Sequence, residues 1–366
     1  MKKIVAMLAA LFLMSTFAMT GHAQMFKDIP NDSDSFYEVN YLINKEVISG
    51  YGDGTFRPDA LIQKQHIAKM LVQALGLPTD NVTNPNYVDV PTDALYYKEI
   101  AAAQNEGLFD ATMYFKPEST ITRAEMAEVL ARAYHLEVPA DYEAAFTDIT
   151  TSTPSYQAIV AVAATGISVG APDSKQPGAL IFMPNKELTR MHFTAFLARA
   201  MTLKPYTFSL QESPVYEYEV ITANGTTRKL MYEYLEPFRW TVSNLTDAVT
   251  YPTYIEQESA NHYKMQAMVA NQRDLVVQKP IRIGTQPKSE ANAKTTVTVI
   301  STMAKTTIGS KAYTDLVLVE QYDHTTKNIY HYYFAEGKGL IKQALVAVGA
   351  QTQLTPDTVV IKQLVE

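Results

Sequence analysis

An α+β chain in two parts is predicted, a helical half built of repeats followed by a half of mainly antiparallel strands. Three observations predict it. One phrase recurs three times within residues 26–203, and the apolar residues of each copy fall at helical spacing. Beyond Lys204–Pro205 the pattern changes to alternating, β-branched runs. The 366 residues suffice for two or three domains. The net charge of −7 argues against nucleic acid as the main partner, which calls for a basic surface.

Residues 1–23 stand apart as a signal peptide. MKK supplies a positive start, IVAMLAALFLMSTFAM an apolar stretch and GHA a small-residue cleavage site, so the expected cut is Ala23–Gln24. The apolar stretch is short for a spanning helix, and polar sequence follows at once. The chain has no cysteine, which removes lipoprotein anchoring, disulfides, thiolate nucleophiles and cysteine metal sites from consideration. A secreted protein with no transmembrane anchor is expected, standing on its apolar core.

Each repeat opens with an aromatic-x-Asp-aliphatic tetrad: FKDI at 26–29, YVDV at 87–90 and FTDI at 146–149. A tyrosine follows (Tyr37, Tyr97, Tyr156) and starts a first helix, which ends ten residues on at VIS (47–49), GLF (107–109) and GIS (166–168). A loop then closes on Phe-x-Pro at 56–58, 115–117 and 182–184, and a second helix begins. In the second helices Ile67, Met70, Leu71 and Ala74 share a stripe, as do Met126, Val129, Leu130 and Ala133, and Phe193, Phe196, Leu197 and Ala200. A single helix pair cannot bury such a stripe alone, so neighbouring units must pack together. The units are assigned as 26–85, 86–145 and 146–203, with a β-rich domain over 205–366.

The loop GYGDGTFRP (50–58) lacks the acidic ligands and closing glutamate of a calcium loop, and reads as scaffold. The recurring Asp28, Asp89 and Asp148 invite a metal or acid–base reading, but are read as local caps for the turn or helix that follows. Chemistry is expected just after the loop. In ITRAEMAEVLARAY (121–134), Thr122 and Glu125 have the spacing of a capping box. Arg123 lies between them, at a helix start whose dipole disfavours a cation. Lys64 and Arg190 occupy the matching positions. A cation beside exposed first-turn amides makes an anion site suited to a sugar carboxylate. The bland alternative is a solvated cation or a pair with a nearby carboxylate.

The tetrad, the G-Y-x-D-G-T-F-x-P loop, the I-T-R-A-E phrase and a period of roughly 60 residues together resemble the S-layer homology family, over about half of the chain. The resemblance implies a pseudo-threefold helical bundle whose grooves bind cell-wall polysaccharide bearing acidic, typically pyruvylated, sugars. Departures limit it. Ser35, Leu95 and Pro154 stand where the family usually has a tryptophan, and the lone Trp240 lies outside the repeats. Repeat 1 reads IQKQH at 62–66, without either capping-box member. Repeat 3 reads LTRMH at 188–192, keeping Thr189 and Arg190 but replacing the glutamate with His192. One strong groove at repeat 2 and two weaker ones are therefore expected. His66 and His192 could add mild pH sensitivity, against the blander reading of both as exposed helix residues. Arg123→Ala should weaken wall binding with little loss of folding.

In the second half, strands are expected at 215–222, 229–235, 262–270, 295–302, 314–322, 328–334 and 358–364, with a hairpin turn at Asn224-Gly225. FAEGKGLIK (334–342) reads as strand, glycine turn, strand, and is weakly similar to secreted β-sheet domains related to lipoprotein-carrier folds. That likeness implies a curved sheet or open barrel, with no reaction attached. No HExxH, GxSxG, P-loop or dinucleotide pattern occurs, and no cofactor is implied. The expectation is a non-enzymatic surface protein, attached noncovalently to wall polysaccharide, displaying a β-rich domain and possible S-layer neighbours. The alternatives are an exported enzyme acting on wall or extracellular polymer, and an exported ligand-binding protein with degenerate repeats.

Overall fold

The computed structural model describes residues 26–30, 33, 35–140, 142–144, 146–205, 207–208, 215–221, 227–236, 239–246, 249–259, 262–266, 273–286, 293–308, 310–347 and 360–365. The expected signal peptide and the Asn224-Gly225 turn lie outside them.

Six helices occur among the described residues, two per repeat: α1 (Phe36–Asn44) and α2 (Lys64–Leu75), α3 (Tyr97–Asn105) and α4 (Arg123–Ala133), α5 (Tyr156–Ala164) and α6 (Arg190–Met201). Each first helix ends two residues before a left-handed residue, Glu46, Gly107 or Gly166, whose φ lies between 59° and 76°. This fixes the alignment. Phe36, not Tyr37, is the counterpart of Tyr97 and Tyr156, a one-residue shift from the tyrosine-based reading. The longer third loop contains a small ribbon, β1 (Ala171–Pro172) paired with β2 (Leu180–Ile181).

Helix neighbours run α2 to α3, α4 to α5 and α6 to α1, so each repeat's second helix lies against the next repeat's first and the third returns to the first. The predicted stripes face the shared core, with Ile67, Leu71, Met126, Leu130, Phe193 and Leu197 buried in it. Phe56, Phe115 and Phe182, the Phe of each Phe-x-Pro, are also buried, and each lies 5.3–5.5 Å from its tetrad aromatic: Phe26, Tyr87 or Phe146.

The second half holds β3 (Val215–Ile221), β4 (Thr227–Glu236), β5 (Arg239–Asn244), β6 (Val249–Glu258), β7 (His262–Met265), β8 (Leu275–Gln278), β9 (Gly284–Thr285), β10 (Thr295–Ile308), β11 (Lys311–Asp323), β12 (Ile329–Ala335), β13 (Gly339–Ala347) and β14 (Val360–Val365). They form one 12-stranded sheet in the order β8-β7-β6-β5-β4-β3-β14-β13-β12-β11-β10-β9, with every pairing antiparallel. Its two edge strands, β8 and β9, are consecutive in the chain. Laid flat, such a sheet would be roughly 50 Å wide, whereas the segment joining its edges reaches about 20 Å. One face carries a second core rich in aromatics, including Tyr218, Tyr232, Tyr263, Tyr332 and Phe334. Phe208, from the connection between the halves, enters it, stacked 4.7 Å from Tyr263 and edge-on 4.8 Å from Phe334.

The two halves meet at residues 281–284. Ile281 and Lys204 exchange backbone hydrogen bonds of 3.0 Å, and Ile283 donates its N–H to Thr202 Oγ1 at 2.9 Å while burying its side chain in the helical core. Beneath them Glu38, fully buried, pairs with Arg199 at 2.8 Å.

Candidate functional site

The second helix of every repeat begins against the loop of another. Lys64 N donates to Ser119 O (2.9 Å) and Gln65 N to Pro117 O (3.0 Å). In the same way Arg123 N and Ala124 N donate to Lys186 O and Pro184 O, and Arg190 N and Met191 N to Ala60 O and Pro58 O. The first two amides of each helix are thus satisfied by loop carbonyls, where the sequence suggested exposed donors. Helix starts leave such amides orphaned, and here they join the repeats in a closed cycle, 1 to 2 to 3 to 1.

The three cations follow that cycle. The Lys64 ammonium lies 4.9 Å from the Phe115 ring and 5.8 Å from Phe109. The Arg123 guanidinium lies 4.8 Å from Phe182 and 5.2 Å from Phe196, and Arg190's lies 4.6 Å from Phe56 and 5.3 Å from Tyr51. Among the described residues none of the three has a carboxylate within ion-pairing distance. They rest on aromatic faces instead, an attraction worth about 0.5–2 kcal/mol.

They differ in access. Arg123 is 5% exposed, and donates from Nε to Phe182 O (2.6 Å) and from Nη2 to Ser168 Oγ (3.0 Å). Burial pushes its guanidinium down to about 10, so it remains charged at neutral pH. The repeat with the complete motif therefore has the least accessible cation, against the expectation of its strongest groove there. Lys64 and Arg190 are half-buried. Burial lowers the pKa of each, and Arg190 donates from Nη2 to Ser49 O.

Lys64 borders a recess of about 400 Å³ between repeats 1 and 2, where Lys116 and Arg132 also stand and Asp110, Glu125 and Glu128 offset them. Arg132 is already paired with Asp110 at 2.7 Å. Arg190 borders a recess of about 220 Å³ where repeats 3 and 1 meet, completed by Tyr96 of repeat 2; the charged and aromatic lining of this recess is Glu46, Tyr51, His66, Lys69, Tyr96 and Arg190. An adjoining recess of about 210 Å³ shares Tyr51, His66 and Arg190. The first groove is balanced in charge; the second is predominantly basic and has two tyrosine walls. Tyr51 also carries Arg57 3.9 Å over its ring. Tyr51 belongs to the loop that sequence reading took for scaffold, while Lys69 and Tyr96 fall in no recurring motif and were not singled out.

The capping residues are structural. Thr122 Oγ1 accepts from Glu125 N (3.2 Å) and Glu125 Oε2 accepts from Thr122 N (2.7 Å), closing the box. Repeat 3 closes it with His192, which the sequence reading counted as a loss. Thr189 Oγ1 accepts from His192 N (3.3 Å), and the Thr189 N–H points at His192 Nδ1 (3.4 Å). The N-cap of α2, Gln63, makes no side-chain cap bond.

Asp28, Asp89 and Asp148 do not cap the turn that follows them. Each carboxylate accepts two backbone N–H groups from its repeat's distant Phe-x-Pro: Phe56 and Arg57, Phe115 and Lys116, Phe182 and Met183, at 2.6–2.8 Å. The second residue of each pair has φ near 60°, which aims both amides at one point. Among the described residues no acidic or histidine cluster could hold a metal ion, and no helix is long and apolar enough to cross a membrane.

Comparison with known proteins agrees with this architecture. The S-layer homology domain matches residues 26–68, 86–127 and 145–194. The chain is 29% identical over 203 residues to S-layer protein sap of Bacillus anthracis, covering 54% of this chain and 24% of that protein. It is 28% identical over 244 residues to the surface-layer 125 kDa protein of Lysinibacillus sphaericus, 62% of this chain and 20% of that one. An uncharacterised cell wall amidase of Bacillus anthracis is 32% identical over 179 residues, covering 48% and 31%. The chain thus spans less than a third of the length of these relatives. Three repeats, each with a helix pair, an aspartate-held loop and a helix start docked on another repeat's loop, are S-layer homology repeats, and the N-terminal half of the chain belongs to that domain family.

Proposed function

We propose that this protein is exported and held noncovalently on the bacterial cell wall by its three repeats, which form a pseudo-threefold bundle and bind acidic, pyruvylated wall polysaccharide. The observation that carries the reading is the groove between repeats 3 and 1. Arg190 and Lys69 supply positive charge there, and Tyr51 and Tyr96 supply flat apolar walls. A sugar ring bearing a carboxylate offers the complement, an apolar face beside an anion. The S-layer proteins among the relatives support the surface placement.

The sheet half is read as a displayed, non-enzymatic domain, strongly curved since its two edges are joined by one short segment. Its described histidines have local contacts: His331 with Glu320 (3.0 Å), His262 with Ser259 (3.1 Å) and His324 with Thr296 (2.9 Å).

Co-sedimentation of the mature full chain with wall sacculi tests the reading. The wild type is expected to pellet with pyruvylated walls and to be released when mild acid removes the ketal. Arg190→Ala is expected to bind about tenfold more weakly, the loss of one charge-assisted contact. Undiminished binding to ketal-free walls would overturn it.

A further inference from the structure

We propose that His66 is a proton-operated contact of the groove between repeats 3 and 1, adding a third cation that grips the ligand's carboxylate when the imidazole is protonated. This rests on the wall-binding reading and specifies how that site is regulated.

The geometry begins with a substitution within the repeats. His66 occupies the third position of α2, where repeat 2 has the capping-box residue Glu125 and repeat 3 has His192. His192 is tied to Thr189, but Gln63 makes no side-chain cap bond at the start of α2. The His66 ring is therefore not engaged by its helix cap. It lies edge-on to Tyr96, 5.5 Å between centroids, and borders both recesses beside Arg190.

The groups around it come from every neighbouring element: Lys69 from its own helix, Arg190 from α6, Glu46 and Tyr51 from the stretch after α1, and Tyr96 ahead of α3. In the free protein the imidazole titrates below its ordinary value, held down first by burial and then by Arg190 and Lys69. A bound carboxylate opposes that local field. It offsets the two fixed cations and favours the third, so ligand binding takes up a proton and affinity rises as pH falls. A sugar carboxylate has an ordinary pKa of about 3.5 and stays ionised through this range.

The test measures binding of the mature full chain to pyruvylated wall polysaccharide from pH 8 to pH 5. The wild type is expected to bind on the order of tenfold more tightly at pH 5, the worth of one charge-assisted hydrogen bond. His66→Gln should lose the slope and His66→Lys should bind tightly without one. His192→Gln should keep the slope, because His192 serves the cap. A wild-type profile that is flat, or a slope that survives in His66→Gln, overturns the proposal while leaving wall binding intact. Equal binding to polysaccharide stripped of its ketal would instead overturn the wall-binding reading, and this proposal with it.

Discussion

At the scale of the residue, the same sequence position does different jobs in different repeats. Arg123 ties its own helix to another repeat's loop, and Arg190 borders an open basic groove. Arg123→Ala would leave the Phe182 carbonyl and the Ser168 hydroxyl without their partner and open a void between two phenylalanine rings. A loss of about 2–4 kcal/mol follows from those terms, against the small folding cost that sequence alone suggested. Chemical denaturation decides it: a loss under about 0.5 kcal/mol, with wall binding abolished, would mean that Arg123 is a ligand residue after all. Motif completeness was legible and burial was not, because the second wall, Phe196, comes from a distant helix. His192 supplies a second prediction. Its pKa is lowered by burial, then by Arg123 and Lys186. The neutral ring is the form that can accept from Thr189 N, so its capping contribution is complete above pH ~6.5 and lost as pH falls through the depressed folded value. His66 acts in the same direction, so the comparison must be between variants. His192→Glu should remove about 1 kcal/mol of the wild type's loss of stability between pH 7.5 and pH 5. Identical pH dependence in the two proteins would refute the cap assignment.

At the scale of the element, the loops are held by their aspartates from far along the chain. The two N–H groups aimed at Asp89 belong to Phe115 and Lys116. An asparagine there presents one acceptor oxygen in place of two. Asp89→Asn is therefore expected to cost about 1–2 kcal/mol and to raise hydrogen exchange at the Phe115 and Lys116 amides. Exchange unchanged at both would show that the carboxylate is not their acceptor. The recurrence of these aspartates was plain in the sequence, but their partners were not, since local turns offer a shorter-range alternative and spacing cannot choose between them. The sheet divides in the same way. Strong alternation revealed β3, β4, β10, β11, β12 and β14, although β10 and β11 run longer than expected. β6 escaped because Pro252 interrupts its pattern. In the structure that proline lies where the pairing shifts register, Trp240 opposite Tyr254 but Val242 opposite Tyr251. Prolines are tolerated in a sheet at such bulges. β8 and β9 escaped because four and two residues carry too little periodicity to be seen.

At the scale of the whole molecule, the two halves share a buried charged joint that no repeat motif announces. Glu38 pairs with Arg199 inside the helical half, and Arg282 from the sheet half lies buried beside them. Burial, then repulsion from Arg199, pulls the Arg282 guanidinium down to about 9, with Glu38 opposing. Gly284 makes this approach possible. Its φ is +104°, and a Cβ there would lie 2.2 Å from Glu38 Oε1, a separation that real atoms do not adopt. Gly166 allows the other side, since its Cβ would meet Arg282 Nε at 2.6 Å. Because α1 and α6 come from the first and third repeats, this segment lies where the cycle of repeats closes. The sheet half should therefore stabilise the same repeat 3–1 junction that borders the basic groove. Gly284→Ala would add backbone strain and push Glu38 away from Arg199, and breaking a buried pair costs about 3–5 kcal/mol. The expected outcome in calorimetry is one cooperative transition for the wild type. The variant should unfold at lower temperature in two steps, with the helical half first. If the variant's helical half melts at the wild-type temperature, the joint contributes nothing to the bundle, and the repeats close their cycle without the sheet.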